Sequence, residues 1–241
     1  MVLSSTYSRI KQENIMNKIR WLTLIFITLT SHLAYADDTD AKTKNRLHYL
    51  PRELEIELAL AAGPKHIRQE AAVYVFGKSG YEKVRDGKNG FTCFVNRDGH
   101  QHGEPVLRPT CWDREGSATI VPVMLRVGEL LAQGKSAADI KKDIDSGFNS
   151  KRFVSPKKAG IAYMLKGDLA FDEKKQQVSD TLFPAHYMLY APGVSNDDLG
   201  VTDEAFRNDH SLPFIYDGYS GGTHTAYIIV PASSAAGHAH H

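Results

Sequence analysis

Val73-Tyr74-Val75-Phe76, Gly77-Lys78-Ser79-Gly80, Tyr81 to Arg85, Asp86-Gly87-Lys88-Asn89-Gly90 and Phe91-Thr92-Cys93-Phe94-Val95 follow one another without interruption. The first and last of these blocks are rich in β-branched and aromatic side chains, which fit a pleated, half-buried surface. The two Gly-rich blocks supply the backbone conformations of tight reversals. The stretch reads as three short strands joined into a β-meander, with Cys93 in the third strand.

Upstream, Pro51 to Ala61 reads as a helix. Proline suits its first turn, and Glu53, Glu55 and Glu57 favour the positive end of the helix dipole. Leu54, Leu58 and Ala61 share one apolar face, and Gly63-Pro64 ends the helix. Downstream, Asn96 to Pro109 reads as a polar loop that closes at Cys111, and Ala118 to Val123 as a strand. Met124 to Ala132 has helical spacing, with Val127, Leu130 and Leu131 on one face. A further helix starts at Ser136, which caps it with Asp139 three residues on; Ile140 and Ile144 form its buried stripe, and Gly147 stops it. Ile161 to Leu165, His186 to Tyr190 and Ala226 to Val230 are apolar runs of strand length. Helices grouped between strands, without regular strand–helix alternation, predict an α+β fold. The expected architecture is an antiparallel sheet of about seven strands, a few helices packed on it, and one disulfide.

The segment from Glu55 through Leu165 resembles a group of uncharacterised exported bacterial proteins. The likeness is carried by Gly80-Tyr81-Glu82-Lys83-Val84-Arg85, Asn89-Gly90-Phe91-Thr92-Cys93 and Gly160-Ile161-Ala162-Tyr163-Met164. It implies export and attaches no activity.

The export signal can also be read directly. Met16 to Arg20 is a short basic region, Trp21 to Leu29 an apolar core, and Ala34-Tyr35-Ala36 presents small residues where signal peptidase cuts. The apolar run is about half of the roughly 20 residues a membrane-spanning helix needs, so cleavage is expected and no stable membrane anchor remains after it. Met16 opens a well-proportioned signal by itself, and translation is expected to start there rather than at Met1. The resulting organisation is an upstream segment and signal over 1–36, a disordered mature N-terminus over 37–48, one α+β domain over 49–231, and a flexible His-containing tail over 232–241. A periplasmic or extracellular location follows. In such an oxidising compartment Cys93 and Cys111, the only two cysteines, are expected to pair.

Net charge is +1 with 24% charged residues, which excludes a global field that would recruit nucleic acid or a membrane surface. Candidate chemistry is sparse. His100-Gln101-His102 places two imidazoles on one side of an extended segment, a geometry that suits zinc or copper. The tail adds His238, His240 and His241. Gly218-Tyr219-Ser220-Gly221-Gly222 matches G-x-S-x-G, but a strand-like run follows the serine where a nucleophile elbow needs a helix. His186, His224, Asp198, Glu82, Tyr163, Tyr187 and Tyr190 form a scattered set that could share a pocket. Lys65-His66-Ile67-Arg68 is basic and could meet an anion. The expected function is a non-catalytic binding or interaction protein, holding a metal or small ligand. The alternatives are a periplasmic hydrolase using Ser220 with His186 or His224, and a structural envelope protein.

Overall fold

The computed structural model describes residues 47–100, 103, 105–181, 183–209, 211–217 and 221–232. The expected signal, the choice between Met1 and Met16, most of the expected mature N-terminus and nearly all of the tail lie outside the described residues. Within them the chain folds as α+β, in the order α1 (Arg52–Ala61), α2 (Lys65–Arg68), β1 (Ala72–Gly77), β2 (Gly80–Arg85), β3 (Thr92–Asn96), β4 (Arg108–Trp112), α3 (Arg114–Thr119), α4 (Val121–Ala132), α5 (Ala137–Asn149), β5 (Ile161–Met164), β6 (Leu169–Asp172), β7 (Gln177–Asp180), β8 (His186–Tyr190), α6 (Asp203–Asn208), β9 (Phe214–Tyr216), a 3-10 turn (Gly222–Thr225) and β10 (Tyr227–Pro231). Eight strands form one sheet in the order β2-β1-β3-β4-β5-β8-β10-β9, and β6-β7 form a separate hairpin.

The sheet is mixed rather than antiparallel throughout, because the expected meander does not form. β2 pairs with β1, but β3 enters on the other side of β1 and runs parallel to it through Ala72↔Thr92 and Val73↔Cys93. The loop over 86–91 makes this possible by passing close across the start of β1. Lys88 N donates to Glu70 O (2.7 Å), and Ala72 N donates to Phe91 O (2.8 Å). Asn89 holds the loop from inside, with Nδ2 donating to Ile67 O and Oδ1 accepting from Phe91 N. A side chain at Gly87 would land on the backbone nitrogen of Ala72, so the crossing requires glycine.

β3 then pairs antiparallel with β4 over five residues, Thr92↔Trp112 through Asn96↔Arg108. Cys93 and Cys111 stand directly opposite, fully buried, with their Cα atoms 4.0 Å apart, and form the expected disulfide. It lies on the sheet face that α1 covers, among Leu58, Ala59, Ala62, Val73, Val95 and Leu107. The other face, carrying Phe94, Trp112, Ala162, Met164, Met188, Tyr190, Tyr227 and Ile229, packs with α4 and α5 in the larger core.

Several elements differ from expectation. The run Ala118 to Val123 is helical. Asp113 Oδ1 accepts from Gly116 N and caps α3, while Pro122, which would cost a ladder hydrogen bond in a central strand, sits comfortably in the first turn of α4. The β-branched Ile120, Val121 and Val123 are buried on these helices. Gly147 does not end α5; the Phe153 ring packs where its side chain would stand, and the helix continues to Asn149. The Ser136 cap is as expected, its Oγ accepting from Asp139 N.

Glu55 stands in the first turn of α1 as expected and has a second role. It is 1% exposed and forms a two-pronged ion pair with Arg97, itself 2% exposed (2.9 and 3.0 Å). Glu55 Oε1 also accepts from Phe76 N, and Arg97 donates to Val95 O and His48 O and lies over the Phe76 ring. The pair ties α1, β1 and the end of β3 together. Removing one partner from such a buried pair typically costs about 3–5 kcal/mol.

Replacing both cysteines by alanine is expected to lower unfolding stability by roughly 3 kcal/mol, the value for opening a loop of this size in the chain-entropy model. Urea denaturation of oxidised wild type and the Cys93→Ala/Cys111→Ala variant measures it. Two reactive thiols in denatured, unreduced wild type would contradict the disulfide.

Candidate functional site

Side chains alternate across a sheet, and this alternation builds a cavity on the α4 face. Asn96 of β3, Arg108, Thr110 and Trp112 of β4, Met164 of β5, His186 and Met188 of β8, Tyr227 and Ile229 of β10, and Phe214 and Tyr216 of β9 all present to the same side. The registers Asn96↔Arg108, Met164↔His186, Ile229↔Met188 and Ile229↔Phe214 place these groups side by side. Met124 of α4 and Thr225 of the 3-10 turn add to the wall, and the space between these groups is about 300 Å³.

The cavity has an apolar body and a charged end. Trp112 stacks on Phe94 (4.5 Å between centroids) and donates its Nε1 hydrogen to Tyr227 Oη (3.0 Å). That bond fixes both rings. Met164, Met188, Ile229 and Met124 supply the remaining buried apolar surface. At the charged end Arg108 reaches two buried carboxylates, Asp98 Oδ1 at 3.1 Å and Asp168 Oδ2 at 3.2 Å. Asn96 Oδ1 accepts from the backbone nitrogens of Arg97 and Asp98 and so shapes the turn that presents Asp98. Phe183, Phe214, Tyr216 and Arg108 are half-buried and mark the side of the cavity nearest solvent.

His186 lies between these regions. Its Nδ1 is 2.8 Å from Pro184 O, so Nδ1 carries the hydrogen and Nε2 is left as an acceptor. Burial pushes His186 below the usual histidine range; the bond to Pro184 O opposes that shift and the Arg108 charge adds to it. The imidazole is therefore neutral at physiological pH. Thr225 is 1% exposed, and its hydroxyl has no hydrogen-bond partner among the described residues.

The scattered residues of the sequence reading separate. His186 lines the cavity. His224 is exposed, bonds Ser155 Oγ through Nδ1 (3.0 Å) and stacks on Phe148. Tyr190 donates to Asp113 Oδ1 in the core, Tyr163 and Tyr187 pair on the opposite sheet face, Glu82 is on edge strand β2, and Asp198 holds a turn through Ser195. Ser220 lies outside the described residues, as do Gly218 and Tyr219. His100 is 7% exposed, while His102 and the tail histidines lie outside the described residues. Among the described residues no group of three or more His, Cys, Asp and Glu side chains is arranged to hold a metal ion. Lys65 to Arg68 form the short α2, anchored by buried Ile67.

The sequence reading missed Asn96, Asp98, Arg108, Thr110, Asp168 and Thr225. The alternation Arg108-x-Thr110-x-Trp112 was the available signal, hidden because the first half of β4 is polar. Comparison of the chain with protein-family models, with curated proteins and with solved structures gives no significant match.

The pH dependence of His186 has a definite sign. Its folded pKa lies below the unfolded value of about 6.5, so the unfolded chain binds the extra proton. The His186 contribution to stability is full above that pH and is lost as pH falls below it. His186→Gln is expected to flatten the decline in melting temperature between about pH 6.5 and 5. An unchanged slope would contradict this assignment.

Proposed function

We propose that the protein is exported and acts beyond the inner membrane as a binding protein for a small molecule with an apolar body, held in the cavity over Trp112. The observation that carries this reading is the cavity itself. Protein interiors are close-packed and rarely leave space of this size without use, and about 300 Å³ is the lower end of the range of small-molecule sites. Its lining is also of the recognised kind, mostly apolar and aromatic with a few convergent polar groups. A purely structural envelope protein has no need of it. Export is supported by the signal-like N-terminus and by the buried Cys93–Cys111 disulfide, which suits an oxidising compartment. No helix among the described residues is long and apolar enough to cross a membrane.

Trp112 makes the reading testable. The chain has two tryptophans, and Trp21 lies in the signal segment, so processing after Ala36 leaves Trp112 as the sole tryptophan. The protein is expressed with its signal, recovered from the periplasm, and confirmed by N-terminal sequencing to begin at Asp37. Its fluorescence is expected to change saturably with benzyl alcohol. Ile229→Phe, which fills the cavity, is expected to remove the response while retaining a cooperative thermal transition. A response of equal size and midpoint in Ile229→Phe would contradict the site.

A further inference from the structure

Resting on the cavity as a ligand site, we propose that its ligand class is the neutral hydroxyl compound: an alcohol or phenol whose apolar body packs over Met188 and Ile229 and whose hydroxyl donates to His186 Nε2. The first argument is the hydrogen bonding of one ring. His186 is 2% exposed and lines the cavity. Pro184 O can only accept, so Nδ1 carries the hydrogen and Nε2 offers a lone pair. Among the described residues no donor reaches Nε2. The ring bonds Pro184 O through Nδ1, and its other close neighbour is the Phe183 ring, at 4.7 Å between centroids.

The surroundings make that lone pair costly to leave unused. Met164 stands directly across the β5–β8 register from His186. Met188 follows two residues along β8 on the same face, and Ile229 stands opposite Met188. An acceptor buried among such groups without a donor loses the bond to water that it has in the unfolded chain. A ligand that brings one donor restores it.

The kind of donor follows from the charge the ring tolerates. A carboxylate would bring acceptors to an acceptor. An ammonium would set its charge beside the place of a proton on Nε2, and burial together with the Arg108 charge disfavours a proton there, against the bond to Pro184 O. A hydroxyl supplies the hydrogen bond without a charge. It is also small enough to share about 300 Å³ with an apolar body the size of one ring.

Benzyl alcohol, toluene and benzylamine share one ring and differ in the group it carries. Each is titrated against the processed protein by calorimetry, and affinity ratios are compared between variants, which cancels the probes' different hydration. His186→Leu is expected to lower the ratio of benzyl alcohol to toluene affinity by about fivefold, the net effect of one hydrogen bond. His186→Gln, whose amide oxygen accepts, is expected to hold that ratio within about twofold of wild type. A melting transition confirms the fold of each variant. If His186→Leu fails to fold, nitrogen NMR of the wild type decides. There the Nε2 resonance of His186, assigned through its loss in His186→Gln, is expected to move upfield with benzyl alcohol and not with toluene. An unchanged ratio in His186→Leu, an unmoved Nε2 resonance at saturating benzyl alcohol, or tighter binding of benzylamine overturns the hydroxyl inference and leaves the cavity as a ligand site. No binding of any of the three probes up to millimolar concentration overturns both.

Discussion

The pairing of Thr92–Asn96 with Arg108–Trp112 is the constraint on which the rest of the molecule depends. Because side chains alternate, a slip of one residue in this register would turn every side chain of a strand to the other face. Trp112, Thr110 and Arg108 would then face α1, and Cys111 would face the cavity. The covalent link between Cys93 and Cys111, directly opposite one another, forbids the slip. It does so from the face away from the cavity, so the site gains a fixed register without a sulfur in its wall. The Glu55–Arg97 pair holds the end of β3 just beyond, where the chain turns to present Asp98.

The two sheet faces are used differently. Beneath α1 the packing is dense and apolar around the cystine. Beneath α4 the same strands carry large rings, methionines and charges, and the space among them is left open. Charges at a cavity wall are costly to desolvate unless paired, and here Arg108 is shared between Asp98 and Asp168. The three acidic and basic groups come from the β3–β4 connection, from β4 and from just before β6. The cavity therefore exists only when the whole central sheet is assembled.

Much of the fold could be read from local chemistry, and the failures have physical causes. The strand His186 to Tyr190 announced itself by aromatic and apolar content, and the Ser136 cap and the cysteine pair behaved as their chemistry requires. The meander failed because nothing local distinguishes a third strand that joins the near side of β1 from one that crosses to the far side; Gly87 and Asn89 decide that through contacts distant in sequence. Ile120, Val121 and Val123 read as a strand because β-branching outweighed the Asp113 cap and Pro122. Glu55 reads only as a helix-start acid because its partner Arg97 lies far along the chain. For the same reason the cavity was almost invisible. Among the described lining residues only His186 stands out in the sequence, since Asp98, Arg108, Asp168 and Thr225 look like ordinary loop and strand-edge residues until the sheet brings them together.

The most direct measurement is a crystal structure of the processed protein under xenon pressure, since xenon enters apolar cavities that persist in the folded state. The account predicts xenon density against Trp112, Met188 and Ile229, with Arg108 still between Asp98 and Asp168. A core in which those side chains close onto one another and exclude xenon would contradict it.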